Sequence, residues 1–281
     1  MKITLSDNLS YCTGVQMTLN LVEEVIAKNP GKLYYMLGEI VHNEHVINRM
    51  KSLGLRIIYK LDEIEAPGTV IIQSHGTPQR IFKELARRKL EYIDATCPMV
   101  SLIHRRIQKL EEEGYFPVII GQRGHDEVSG IAGQVREALI FGRPEEVTEE
   151  ALSGKKSIGI VVQSTFIHAD ALAIVDRIKS FVPDVKFIDT ICRPTTERQT
   201  EITRVANEYD IILIIGSKTS ANTRHLFHLA SGKKSLVFLV DDPESVRDLP
   251  LPPDASIFIA SGASTPMNLI DRVETLLKAI G

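Results

Sequence analysis

Cysteine is scarce in this 281-residue chain: only three occur, and no two of them lie close together. The odd number excludes a complete disulfide framework, and the absence of a C-x2–4-C pair disfavours the usual structural zinc site. Charge of one sign is lacking too. Lys and Arg together number 33, Asp and Glu 36, a formal net charge of −3, with no basic run. That balance argues against a nucleic-acid binder. No apolar run reaches the ~20 residues of a membrane-spanning helix. The opening text MKITLSDNLSYC offers neither the apolar segment nor the cleavage site of a secretory signal. A cytoplasmic protein with reduced thiols and no membrane partner is therefore expected. Neither a Walker motif nor a strand-borne GxGxxG is present, so no nucleoside cofactor is indicated. Length alone suggests about two domains.

What is there is regular. The cysteines stand at positions 12, 97 and 192, with two of them in duplicated text, IDATCP (Ile93 to Pro98) and IDTICRP (Ile188 to Pro194). Each is followed by a helix-like stretch, clearest in Val100, Ile103, Ile107 and Leu110 after Cys97 and in Val15, Leu19, Val22 and Ile26 after Cys12. An apolar strand ending in glycine comes next: LYYMLG to Gly38, PVIIG to Gly121, ILIIG to Gly216. A second strand recurs as VIIQSHG, IVVQSTF and IFIASG, the first two sharing a Gln-Ser dipeptide. The third copy lacks the strand that leads to a cysteine, and the N-terminal KITL text supplies it.

The pattern predicts an α/β fold of three pseudo-threefold-related units in a trefoil around a central site. The units are residues 13–96, 97–191 and 192–281, the last completed by residues 1–12. Chance likeness between apolar strands is the alternative, and the fixed spacing of IDxxC and IIG opposes it. One thiol per unit suits a cofactor on the pseudo-threefold axis. A cubane iron–sulfur cluster held by three thiolates would keep one iron open to substrate. A zinc or regulatory binding module is the other reading.

Ligands of α/β units bind at the carboxyl ends of strands. The loops there carry His42, His75 and His125, then Thr165, the run from Ser217 to Arg224, and Ser264. HGTP and ASTP each place Thr before Pro as in a helix start, which reads equally as a plain cap or as an anion site. Hydrogen bonds to a charged partner contribute about 1.5–3 kcal/mol each, so seven or eight amount to on the order of 10 kcal/mol before desolvation. That suffices for a small diphosphate without an arginine clamp. Glu127, beside His125, is a proton-donor candidate or a solvated loop carboxylate.

These residues resemble the 4-hydroxy-3-methylbut-2-enyl diphosphate reductase family over essentially the whole chain. The marks are YCTGV, GEIVHN, SHG, DATCP, GHDEV, QST, DTIC with TxxRQ, and GASTP. The resemblance implies a [4Fe–4S] cluster on Cys12, Cys97 and Cys192. It implies diphosphate binding by His42, His75, His125, Ser220, Ala221 (through its backbone), Asn222 and Ser264. It gives Thr165 to the substrate hydroxyl, Glu127 to proton delivery, and a ferredoxin- or flavodoxin-type protein as electron donor. The implied reaction is reductive removal of an allylic hydroxyl to give isopentenyl and dimethylallyl diphosphate. The chain departs from the family pattern at Gln16, Ser101, Asp126 (where proline is usual), Ala221 and Met267. A paralogue with the same cluster and another small substrate is the alternative those departures suggest.

Overall fold

The structure, a computed structural model, describes residues 1–231, 233 and 236–280. Its strands form three separate four-stranded sheets, all pairings parallel. The first sheet has the order β3 (Leu55–Ile58), β2 (Tyr34–Leu37), β4 (Thr69–Ile72), β5 (Glu91–Asp94). The second repeats it as β7 (Leu139–Phe141), β6 (Phe116–Ile120), β8 (Ser157–Val162), β9 (Asp184–Phe187). The third is β11 (Leu236–Val240), β10 (Ile211–Ile215), β12 (Ser256–Ser261), β1 (Lys2–Leu5). The N-terminal strand does complete the last sheet, with Ile3 opposite Ile257.

Helices connect the strands: α1 (Thr13–Lys28), α2 (Glu44–Ser52), α3 (Gln79–Arg87), α4 (Pro98–Glu112), α5 (Asp126–Ala132), α6 (His168–Lys179), α7 (Arg193–Val205), α8 (Ala221–Ser231) and α9 (Met267–Ile280). Among the described residues no helix is long and apolar enough to cross a membrane. The chain forms two compact units. One comprises Met1–Gln16, Val41–Arg49 and Arg193–Gly281, the other Met17–Ile40 and Met50–Cys192.

The middle strands read as unbroken apolar runs because helices cover both of their faces. In the second sheet, Val118, Ile120, Ile158, Ile160 and Val162 pack with Ile174 and Ile178 of α6. The alternate residues Ile119 and Val161 face Ile103 and Ile107 of α4. Each such side chain contributes about 1.5–3 kcal/mol by leaving water.

Two expectations are corrected. Each unit has four strands, not three: the segments read as loops hold the short edge strands β3, β7 and β11. Pro78 is itself the N-cap of α3, with no side-chain cap bond, so Thr77 does not cap it. Thr265 likewise turns inward and donates to Ile215 O at 3.0 Å, tying its loop to β10.

Candidate active site

The cysteines occupy equivalent places. Each follows the outer strand of its sheet and directly precedes a helix. Cys97 N–H donates to Ser74 O at 2.9 Å, Cys192 N–H to Ser164 O at 3.0 Å, and Cys12 N–H to Ala263 O at 3.0 Å. Every acceptor lies in the loop after the neighbouring middle strand. The duplicated IDxxC text has a mechanical reason: Asp94 Oδ1 accepts from Thr96 N and Asp189 Oδ1 from Ile191 N, both at 3.0 Å, turning the chain into the cysteine.

The loop to Cys12 is longer and is held differently. Glu201 of α7 accepts from Ser6 Oγ at 2.6 Å, Asp7 N at 3.0 Å and Asn8 Nδ2 at 3.2 Å. Arg198 Nη2 donates to Ser10 O at 2.8 Å, and Ser10 holds a left-handed φ of 63°. Ser261 Oγ accepts from Ser10 N at 2.8 Å. Arg198 of the TxxRQ text and Glu201 just beyond it therefore hold the Cys12 loop.

None of the three cysteines is in a disulfide, and all are half-buried. Cys97 is the N-cap of α4, and Cys12 Sγ lies 3.5 Å from Val15 N at the start of α1. Three soft sulfur donors with no hard carboxylate among them fit iron–sulfur or zinc rather than magnesium or calcium.

In the unit containing the first two sheets, four predicted residues follow three strand ends, His75 after β4, His125 and Glu127 after β6, and Thr165 after β8. His125 is the N-cap of α5, its Nδ1 accepting from Glu127 N at 3.1 Å. Its ring meets His75 edge-on, with centroids 5.5 Å apart. Glu127 is not a loop residue as expected: it sits in the first turn of α5 and is 2 % exposed. Ser164 grips its carboxyl twice, N–H to Oε1 at 2.6 Å and Oγ to Oε2 at 2.8 Å. Burial pushes the Glu127 pKa up to about 7, against the opposing pull of the two Ser164 donors. Thr165 Oγ1 accepts from Gln163 Nε2 at 3.1 Å, and Gln163 Oε1 is itself held by Gln122 N at 2.9 Å. Ser164, Gln73 and Gln163 escaped the sequence reading, although the repeated Gln-Ser dipeptide pointed to them.

The other unit holds His42, Ser220, Ala221, Asn222 and Ser264. His42 stands just before α2, whose amides Asn43 caps through His45 N at 3.1 Å and Val46 N at 3.3 Å. Ser220 accepts from Thr223 N at 3.4 Å and so opens α8. Ala221 and Asn222 form the first turn, both buried. Asn222 Nδ2 and Oδ1, Ser264 Oγ and Thr223 Oγ1 are buried polar atoms with no protein partner among the described residues. Such atoms cost about 1–3 kcal/mol each unless a ligand answers them.

The positions repeat. His42, His125 and Ser220 each come four residues after Gly38, Gly121 and Gly216, whose amides close the same bond to β3, β7 and β11. His75, Thr165 and Ser264 each follow the carbonyl that anchors a cysteine.

The description "LytB protein" belongs to the family model that matches residues 3–278. Among curated relatives, the 4-hydroxy-3-methylbut-2-enyl diphosphate reductase of Aquifex aeolicus is 34% identical over 99% of this chain and 96% of its own. The like-named protein of Dechloromonas aromatica is 31% identical over 100% and 92%. A solved reductase from Plasmodium falciparum superposes with a TM-score of 0.90 at 27% identity, covering 99% of this chain and 88% of that one. With the family model matched almost end to end and the fold shared, the chain belongs to the LytB family.

Proposed function

We propose that this chain is an iron–sulfur oxidoreductase that removes the allylic hydroxyl of 4-hydroxy-3-methylbut-2-enyl diphosphate. Two electrons and two protons convert it to isopentenyl or dimethylallyl diphosphate and water. The observation that carries the reading is the equivalence of the three cysteines, one per sheet, each anchored by the neighbouring strand's loop. In this reading the units 13–96, 97–191 and 192–281 with 1–12 each contribute one thiolate to a [4Fe–4S] cluster. When bound, the cluster supplies the electrons, from a ferredoxin- or flavodoxin-type donor, and an iron without a protein thiolate for the hydroxyl oxygen. A cytoplasmic setting keeps the thiols reduced.

The chain's own residues do the rest. His42, His75, His125, Ser220, Asn222, Ser264 and the Ala221 amide hold the diphosphate. Thr165 faces the hydroxyl, its oxygen oriented by Gln163. Glu127, protonated near neutrality, delivers a proton to the departing oxygen, with Ser164 holding the carboxyl in place.

The test is the anaerobic absorption spectrum with and without the allylic diphosphate. Brown protein with about four irons and a substrate-induced change supports the proposal. Folded, colourless protein with one zinc and no sulfide sinks it. Asn222→Ala tests the anion cage. Losing one or two bonds to a charged ligand should raise KM about 10- to 100-fold with a smaller change in kcat. An unchanged KM in steady-state assays removes Asn222 from the site.

A further inference from the structure

Asp126, one of the departures that the resemblance singled out, has its carboxylate wired to a histidine through Gln73. Asp126 Oδ2 accepts from Gln73 Nε2 at 3.2 Å. With its nitrogen donating to Asp126, the Gln73 amide turns its oxygen the other way. There Gln73 Oε1 lies 3.3 Å from His75 Nδ1. An imidazole nitrogen opposite an amide oxygen carries the proton. The Gln73 amide lies flat against Gly38 (φ 81°), where a Cβ would stand 2.7 Å from its atoms.

His125 is wired the opposite way. Its Nδ1 accepts from Glu127 N, so its proton sits on Nε2. A neutral His125 thus presents an N–H at Nε2, and a neutral His75 presents a lone pair there. A lone pair repels a phosphate oxygen; a second proton turns it into a donor.

We propose that Asp126 and Gln73 are positioning residues that make His75 meet the diphosphate only as an imidazolium, so that anion binding takes up a proton at His75 while His125 binds as a neutral ring. This rests on the diphosphate reading above. Asp126, His125 and His104 are titratable neighbours of His75 within the same unit. Asp126 stands close, its ligand atoms within 4.8 Å of those of His75, and favours the cation. His125, edge-on to it, is kept from a like charge by its own hydrogen bond. His104 of α4 packs where a Cβ on Gly76 would be, 2.6 Å from its ring. Burial lowers the His104 pKa to about 4, so that ring is neutral at pH 7 and does not oppose the charge.

The experiment uses full-length, anaerobically prepared protein and the variants Asp126→Asn and Gln73→Ala. Nitrogen-15 spectra of labelled histidine, with His75→Gln for assignment, report which ring nitrogen is protonated. Calorimetry with inorganic pyrophosphate in two buffers of different ionisation heat reports proton uptake. The ligand's own protons are common to all proteins, so differences belong to the protein. Wild type should show the Nδ1–H form of neutral His75 and take up more protons than Gln73→Ala. Both variants should bind pyrophosphate about tenfold more weakly, the scale of one charge-assisted bond, and with substrate the loss should fall on KM rather than kcat. A wild-type His75 protonated on Nε2, or equal proton uptake in all three proteins, overturns the proposal. A wild type with the Nδ1–H form that binds no pyrophosphate overturns the diphosphate reading and the proton uptake with it, while the hydrogen-bond polarity stands.

Discussion

Cys97→Ser protein, purified without oxygen, should fold normally, lack the visible absorption and sulfide of the wild type, and show no detectable turnover. The two halves of that expectation come from different atoms. The backbone bond from residue 97 to Ser74 O does not involve the side chain. Cys97 is the N-cap of α4 and makes no side-chain cap bond, whereas serine is among the best N-caps. The helix should therefore be as stable or about 1 kcal/mol more stable. What is lost is one of the three sulfur ligands of the proposed cluster, and two cannot hold a cluster that ordinarily has four. The same replacement at Cys12 or Cys192 should act alike, since both sulfurs occupy the equivalent strand end. Circular dichroism would report the fold, iron and sulfide assays the cluster. Serine variants that keep the wild type's iron, sulfide and activity would remove the cysteines from the centre of the function.

The architecture was legible because its strongest elements are buried on both faces. Strands β6, β8 and β10 are mostly Ile and Val, β12 carries Ile257, Phe258 and Ile259, and the closing role of KITL followed from counting strands. The edge strands were not legible. β7 is three residues long, and β3 is buried only at its two ends, Leu55 and Ile58, so neither shows a period. The third repeat also hid its likeness. The place of Gln73 and Gln163 is taken by Gly262, where a Cβ would stand 2.1 Å from Thr223 Oγ1. Thr223 fills the room that glutamine fills elsewhere, so the Gln-Ser signature is lost there.

At the site, the sequence shows which residue types are present but not which atoms meet. Glu127 looked like a loop carboxylate because GHDEV is turn-rich text and α5 has only seven residues. Its partner Ser164 lies 37 residues away. The orphaned atoms of Asn222 and Ser264 become visible only when burial is known. Asp126 looked like a mere departure until its bond to Gln73 gave it a task.

Glu127→Gln should lower kcat by about 10²–10⁴-fold, the usual worth of a positioned proton donor, and leave KM and the absorption spectrum nearly unchanged. Glutamine preserves the shape: its oxygen can take the Ser164 N–H, and its nitrogen can donate to Ser164 Oγ. It cannot give up a proton to the substrate. Stability should move the other way. Burial raises the Glu127 pKa from 4.5 to about 7, so between those values the folded state holds a proton that the unfolded chain releases. The stability tied to that proton is complete below pH 4.5 and is lost as pH rises through 7. A neutral glutamine escapes the loss, and at pH 8 the variant should be more stable by at most about 2–3 kcal/mol. Wild-type kcat should fall on the alkaline side with a midpoint near the same pKa, and the residual rate of the variant should lose that limb. Steady-state pH profiles and denaturant melts at pH 5 and pH 8 measure both effects. Turnover within tenfold of wild type, with the alkaline limb still present, would assign the proton to another group. A dead variant that is less stable at pH 8 would mean that Glu127 is needed as a charged anchor for Ser164 and not as an acid.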